Sequence, residues 1–102
     1  MTEFKISYLQ EQALTLVQAM LGVISPNFRT IAISVIGEKL KIQVILECES
    51  EKDREELWDC QTDFEALQSG SIDYDFDVIV DSGSINVLPT PGEMYIYCRR
   101  ES

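Results

Sequence analysis

Apolar positions along the chain change period from block to block. Leu9, Ala13, Leu16, Val17, Met20 and Leu21 recur every three or four residues, which predicts one apolar face of a helix. Ser7-Tyr8-Leu9-Gln10 fits a capping box at its start, although nothing from Thr2 onward forbids an earlier one. Gly22 offers a C-terminal stop, Pro26 bars continuation, and Ser25-Pro26-Asn27 reads as a turn. From Thr30 to Ile36 the period drops to two, with Ile31, Ile33 and Val35 on one side. Gly37-Glu38 suits a type II′ hairpin loop. Leu40, Ile42, Val44, Leu46 and Cys48 then alternate with Lys41, Gln43, Ile45 and Glu47, giving a hairpin with an apolar inside and a mostly polar outside.

The helical period returns after Ser50, an N-cap with Asp53 three residues on and Glu51 in the first turn. Leu57, Cys60, Phe64 and Leu67 make its inward stripe, and Gly70 ends it. Ile72 to Val80 alternates Ile72, Tyr74, Phe76, Val78 and Val80 with Asp73, Asp75, Asp77, Ile79 and Asp81, a third strand. Ser82 to Gly92 reads as a loop with a short extended piece at Ile85 to Leu88. Glu93 to Arg99 is the last strand, with Met94, Ile96 and Cys98 inward and Tyr95, Tyr97 and Arg99 outward. The order α-β-β-α-β-β, taken as helix-hairpin-helix-hairpin, predicts an α+β two-layer sandwich. Four mainly antiparallel strands form the sheet and both helices cover one face, in a single domain over residues 1–102. The other face carries Lys41, Gln43, Asp73, Asp75, Asp77, Tyr95 and Tyr97.

Charge divides this picture. Residues 47–81 hold thirteen of the eighteen acids and two of the eight basic residues, so this stretch supplies the whole net charge of −10. Such a chain repels nucleic acid and anionic membrane and favours a basic protein partner. Three cysteines at wide spacing and no histidine fit neither a disulfide framework nor a zinc site. Cys48, Cys60 and Cys98 all fall at apolar positions, so they read as buried free thiols in a reducing, cytoplasmic setting. No stretch reads as a membrane span or a secretory signal.

Catalytic patterns are lacking. Asp73-Tyr74-Asp75-Phe76-Asp77 opens like a calcium loop, but Val78 and Ser84 stand where that loop needs Gly and Glu, and the alternating aromatics indicate a strand. No thiol has a histidine base, and Gly83 and Gly92 fit no phosphate loop, so neither an enzyme nor a cofactor is expected. Binding surfaces remain. At 100° per residue Trp58 lies about 140° from the centre of the core stripe. It stands there among Glu51, Glu55, Asp59, Thr62 and Glu65, a large aromatic in an acidic ring and the first-choice partner site. Arg54, one turn back, could stack on it. Asp73, Asp75 and Asp77, with Tyr95 and Tyr97, form the second choice, since three carboxylates on one strand face repel each other and a cationic partner would relieve them.

Several short segments carry a resemblance. Pro26-Asn27-Phe28-Arg29, the isoleucine-rich hairpin, Asp63-Phe64-Glu65-Ala66-Leu67, Ile72-Asp73 and Tyr97-Cys98-Arg99-Arg100 resemble small bacterial immunity proteins of contact-dependent growth inhibition and related polymorphic toxin systems. The resemblance implies a cytoplasmic antitoxin that binds a cognate toxin domain, often a nuclease; the acidity favours a basic toxin domain, and the chain alone is expected to be a monomer or weak dimer. It assigns no functional residue by position. The rival readings are a homo-oligomeric structural protein and a small acidic regulatory adaptor.

Overall fold

The computed structural model describes residues 2–85 and 92–101, the side chains of 2–6 excepted. The elements are α1 (Thr2–Ala19), β1 (Phe28–Ile36), β2 (Lys39–Leu46), α2 (Glu51–Ala66), β3 (Tyr74–Val80) and β4 (Glu93–Cys98). The extended piece expected at Ile85 to Leu88 lies, from residue 86 on, outside the described residues.

Two helices and one four-stranded sheet make the α+β fold, but the sheet is mixed rather than mainly antiparallel. Its spatial order is β3-β2-β1-β4. β1 runs antiparallel to both β2 and β4, whereas β3 lies parallel to β2. The second expected hairpin therefore does not exist, and β3 and β4 occupy opposite edges. The cause is the crossover. A strand followed by a 16-residue helix is carried back to its starting end, so the next strand laid beside it runs parallel. The first hairpin has the expected register, with Ile31 opposite Val44 and Ile33 opposite Ile42. Its Gly37 takes φ +65 and no described non-glycine has positive φ, the signs a type II′ loop requires.

Leu40, Ile42, Val44 and Leu46 are fully buried, as are Ile31, Ile33 and Phe28, and they join Leu16, Leu57, Cys60 and Phe64 in one core. Four expectations fail in detail. α1 starts at Thr2, so Ser7 lies within the helix and caps nothing. Val17 and Leu21 are 42% and 76% exposed, because at 100° per residue they fall about 80° and 120° from the centre of the arc through Leu9, Leu16 and Met20. Leu67 is half exposed because it is the C-cap of α2, past the last packed turn. Of the three thiols only Cys60 is buried, while Cys48 and Cys98 are exposed. Burial, with Asp63 nearby, pushes Cys60 up to about 11, so it stays a protonated, unreactive thiol at neutral pH. Ser50 does cap α2, accepting from the Asp53 amide at 3.1 Å.

Two bulges shift the register. In β1, Arg29 is the extra residue between Phe28, opposite Leu46, and Thr30, opposite Ile45. In β4, Ile96 is extra between Tyr95, opposite Ala32, and Tyr97, opposite Ile31. Tyr97 is therefore turned onto the core side, not outward as strict alternation required.

The Arg29 bulge builds a polar lock at one end of the sheet. The buried guanidinium donates to the carbonyls of Asp81 and Gly83, both at 2.6 Å, and to Glu101 at 2.9 Å. Arg99 binds the same carboxylate at 3.0 Å, pairs with Glu47 at 2.8 Å and donates to the Pro26 carbonyl at 3.0 Å. Asn27 bridges the Cys48 carbonyl at 2.8 Å and Asp53 at 2.9 Å. The segments Pro26–Arg29 and Tyr97–Arg100, which carry part of the family resemblance, thus meet in a structural corner. The Arg29 and Arg99 guanidiniums hold Glu101 down at about 2. A depressed carboxyl contributes stability that is complete above its unfolded value near 4.5 and is lost as pH falls through about 2. Glu101→Gln is therefore expected to lower stability at neutral pH. The gap to wild type should close between about pH 4.5 and 2 in urea titrations at stepped pH. A gap that stayed constant across that window would remove the lock from the stability account.

Candidate functional site: the outer flank of the second helix

The 3.6-residue period of α2 buries Leu57, Cys60 and Phe64 and turns Glu51, Glu55, Trp58, Asp59, Thr62 and Glu65 outward, all of them exposed. Trp58 is 70% exposed. Helical spacing sets Glu55 and Thr62 one turn to either side of it, with Asp59 about 100° further round, and the Thr62 hydroxyl donates to the Trp58 carbonyl at 3.2 Å. Arg54 does not stack on the indole as its spacing allowed; its guanidinium forks onto Glu49, with Nη2 at 2.9 Å. No described side chain covers the indole with a ring, since the one aromatic contact among the described residues is Phe64 with Tyr74.

Trp58 does not stand alone on a convex surface. It borders a groove of about 270 Å³ lined by Arg54, Leu57, Trp58, Gln61, Phe76 and Val78. The groove lies between α2 and β3, because β3 is an edge strand whose inner-face residues Tyr74, Phe76 and Val78 are only half buried. At the upper end Tyr74 donates its hydroxyl to Glu65 at 2.6 Å. Burial, then the Glu65 carboxylate, push the Tyr74 hydroxyl far above the ordinary tyrosine value, so it remains a donor. Glu65 therefore has an internal partner and is less available than Glu55 or Asp59.

The second candidate set is not one surface. Asp73, Asp75 and Asp77 lie along the outer side of β3, whereas Tyr95 lies opposite Ala32 on β4, three strand spacings or about 14 Å away. Tyr97 faces the core. The aspartate repulsion also has an internal remedy. Lys39 sits 3.3 Å from Asp75 and 4.0 Å from Asp73, and Lys41 sits 3.9 Å from Asp77. The parallel β2–β3 pairing, which brings Lys41 opposite Asp75, supplies these cations.

The groove floor, Phe76 and Val78, belongs to the candidate site and was missed. Its signal was present: a strand after a crossover helix lies beside its predecessor, and β3 alone alternates aromatics with carboxylates. On the other edge, Gln10, Ala13, Leu14, Val17, Met94, Tyr95 and Ile96 line a wider apolar groove. Among the described residues no three His, Cys, Asp or Glu converge to hold a metal ion, and no helix is long and apolar enough to cross a membrane.

A comparison with curated proteins returned no match. A protein family does match, over residues 10–101, from the middle of α1 through β4 to the Glu101 lock. By this match over nearly all its length, the chain belongs to the MafI2 immunity protein family.

Proposed function

We propose that the protein is a cytoplasmic antitoxin, acting as one domain without a cofactor or catalysis of its own. It neutralises a cognate toxin domain, a basic nuclease, by binding it through the outer flank of α2. Family membership supplies the immunity role and a toxin as partner. The observation that carries the surface is Trp58, 70% exposed, with the groove over Phe76 and Val78 on one side of it and the exposed Glu55 and Asp59 further round the helix on the other. An aromatic anchor beside an apolar recess gives affinity, and the surrounding charge gives speed and selectivity. A toxin that handles nucleic acid needs a positive cleft for phosphates, and an acidic flank can occupy such a cleft as a polyanion does.

Glu55→Lys with Asp59→Lys tests the electrostatic half. Association with the toxin domain encoded beside this chain's gene is expected to slow by about tenfold or more at low salt. The deficit should shrink as salt shortens the Debye length to about 3 Å at 1 M. Unchanged association at every salt concentration would move the interface off this flank.

Self-association is a second reading, favoured by the exposed Leu14 and Leu21 at 67% and 76% and by the apolar groove between α1 and β4. Light scattering across a concentration series separates the two: a stable dimer free of toxin supports self-association.

A further inference from the structure

The two acidic surfaces lie on opposite faces of the sheet, yet both adjoin the same open edge. Asp73, Asp75 and Asp77 stand on the outer side of β3, while Trp58 and the groove stand on its inner side. We propose that the toxin docks by adding a strand to the free edge of β3, through an extended segment whose residues alternate apolar and basic. This rests on the reading that the α2 flank faces the toxin.

The backbone geometry marks the edge as open among the described residues. The Leu40 amide donates to the Asp73 carbonyl at 3.3 Å, and the Asp81 amide donates to the Leu46 carbonyl at 2.9 Å. Odd-numbered residues of this stretch thus turn their backbone groups toward β2. Strand alternation points the N–H and C=O groups of Tyr74, Phe76, Val78 and Val80 the other way, and no described strand pairs with them. The chain also leaves this edge at once, because Arg29 in β1 holds the carbonyls of Asp81 and Gly83.

Side-chain alternation then selects the occupant. An added strand sends successive residues to opposite faces. Those on the inner side meet Phe76, Val78 and Trp58, an apolar floor and wall. Those on the outer side meet Asp73, Asp75 and Asp77, whose side chains remain 82%, 51% and 48% exposed although two lysines approach them. Three carboxylates against two ammonium groups leave that row acidic. Charge also argues against a second copy on this edge. Pairing β3 with β3 would set one aspartate row beside another, and like charges across strands are destabilising. A basic segment meets the opposite situation, and main-chain hydrogen bonds supply affinity that does not depend on its exact sequence.

The experiment is amide hydrogen exchange of the intact chain, alone and with the toxin domain encoded by the neighbouring gene, together with Val78→Pro. Proline at 78 removes an outward N–H and no bond to β2, so the sheet should tolerate it. The amides of Tyr74, Phe76, Val78 and Val80 are expected to exchange freely in the isolated protein and to slow at least tenfold in the complex. Val78→Pro should weaken binding at least thirtyfold and well beyond Val78→Ala, which trims the same groove-floor side chain but keeps the outward N–H. If Trp58→Ala weakens binding but the four amides exchange alike in both states, strand addition is overturned and the α2 flank stands. If neither the edge nor Trp58 matters, or the toxin does not bind, both readings are overturned. Protection of these amides without toxin would assign the edge to another pairing and overturn the proposal. Exchange on the unsubstituted chain keeps the test valid should the proline variant fail to fold.

Discussion

Phe64→Ala is expected to destabilise the protein by about 3–5 kcal/mol, measured as a shift in the urea unfolding midpoint at constant slope. Phe64 has no exposed surface and packs with Leu57 and Cys60 on the buried arc of α2. Its ring meets Tyr74 edge-on, with centroids 5.5 Å apart and planes at 64°. Truncation therefore removes apolar burial, leaves a cavity and breaks the aromatic pair that ties α2 to β3. Domains of this size are stable by about 5–15 kcal/mol, so the loss takes a large share of the total. Leu67→Ala is the control, since Leu67 sits three residues on in the same apparent stripe but is 50% exposed. It should cost no more than about 0.5 kcal/mol. Equal effects at the two positions would contradict the placement of the C-cap.

The contrast between Phe64 and Leu67 shows what periodicity encodes and where it stops. A repeat of three and four residues identifies the buried face, so Leu57, Cys60 and Phe64 were legible. It carries no signal for where the packed length ends, so Leu67 was not. In α1 the limit is angular instead: Val17 and Leu21 belong to the apolar run but lie off the buried arc, although Ala19 and Met20 beside them are buried. In strands the period of two is equally local. It gave the inner faces of β1 and β2 correctly, because their hairpin imposes register through a two-residue loop. It misplaced Tyr97 because one bulge residue, Ile96, reverses every later side chain, and a bulge leaves no mark in the apolar pattern.

Topology was the larger miss, and it bears on the site. Reading β3 and β4 as a hairpin joined them across the Ser82–Gly92 segment and paired the aspartate row with Tyr95 and Tyr97 on one face. The segment between β2 and β3, a full helix bounded by a cap and a glycine, instead demands a parallel crossover. Once β3 is beside β2, Lys39 and Lys41 come within reach of the aspartates, and the half-buried Phe76 and Val78 become the floor under Trp58. The helix-face residues were legible one by one from their angular positions. The groove that turns them into a recess was legible only through the crossover helix, because it depends on which strand becomes the edge.

Trp58→Ala is expected to weaken toxin binding by about 30- to 1,000-fold, equivalent to about 2–4 kcal/mol, while stability stays within about 0.5 kcal/mol of wild type. These two results together separate an interface anchor from a core residue. At 70% exposure the indole buries little on folding, so its removal leaves no cavity. A partner that covers it removes that surface from water and gains an apolar contact that extends onto Phe76 and Val78. Fluorescence provides an independent reading, because this is the chain's single tryptophan. Emission should lie near that of solvated indole in the free protein and shift to the blue when toxin binds. Trp58→Phe should retain part of the affinity, since it keeps the apolar contact and loses only ring area and the indole N–H. Wild-type binding by Trp58→Ala, or emission already blue-shifted without toxin, would leave the acidic flank of α2 with charge but no anchor. The interface would then have to be sought along the apolar groove between α1 and β4.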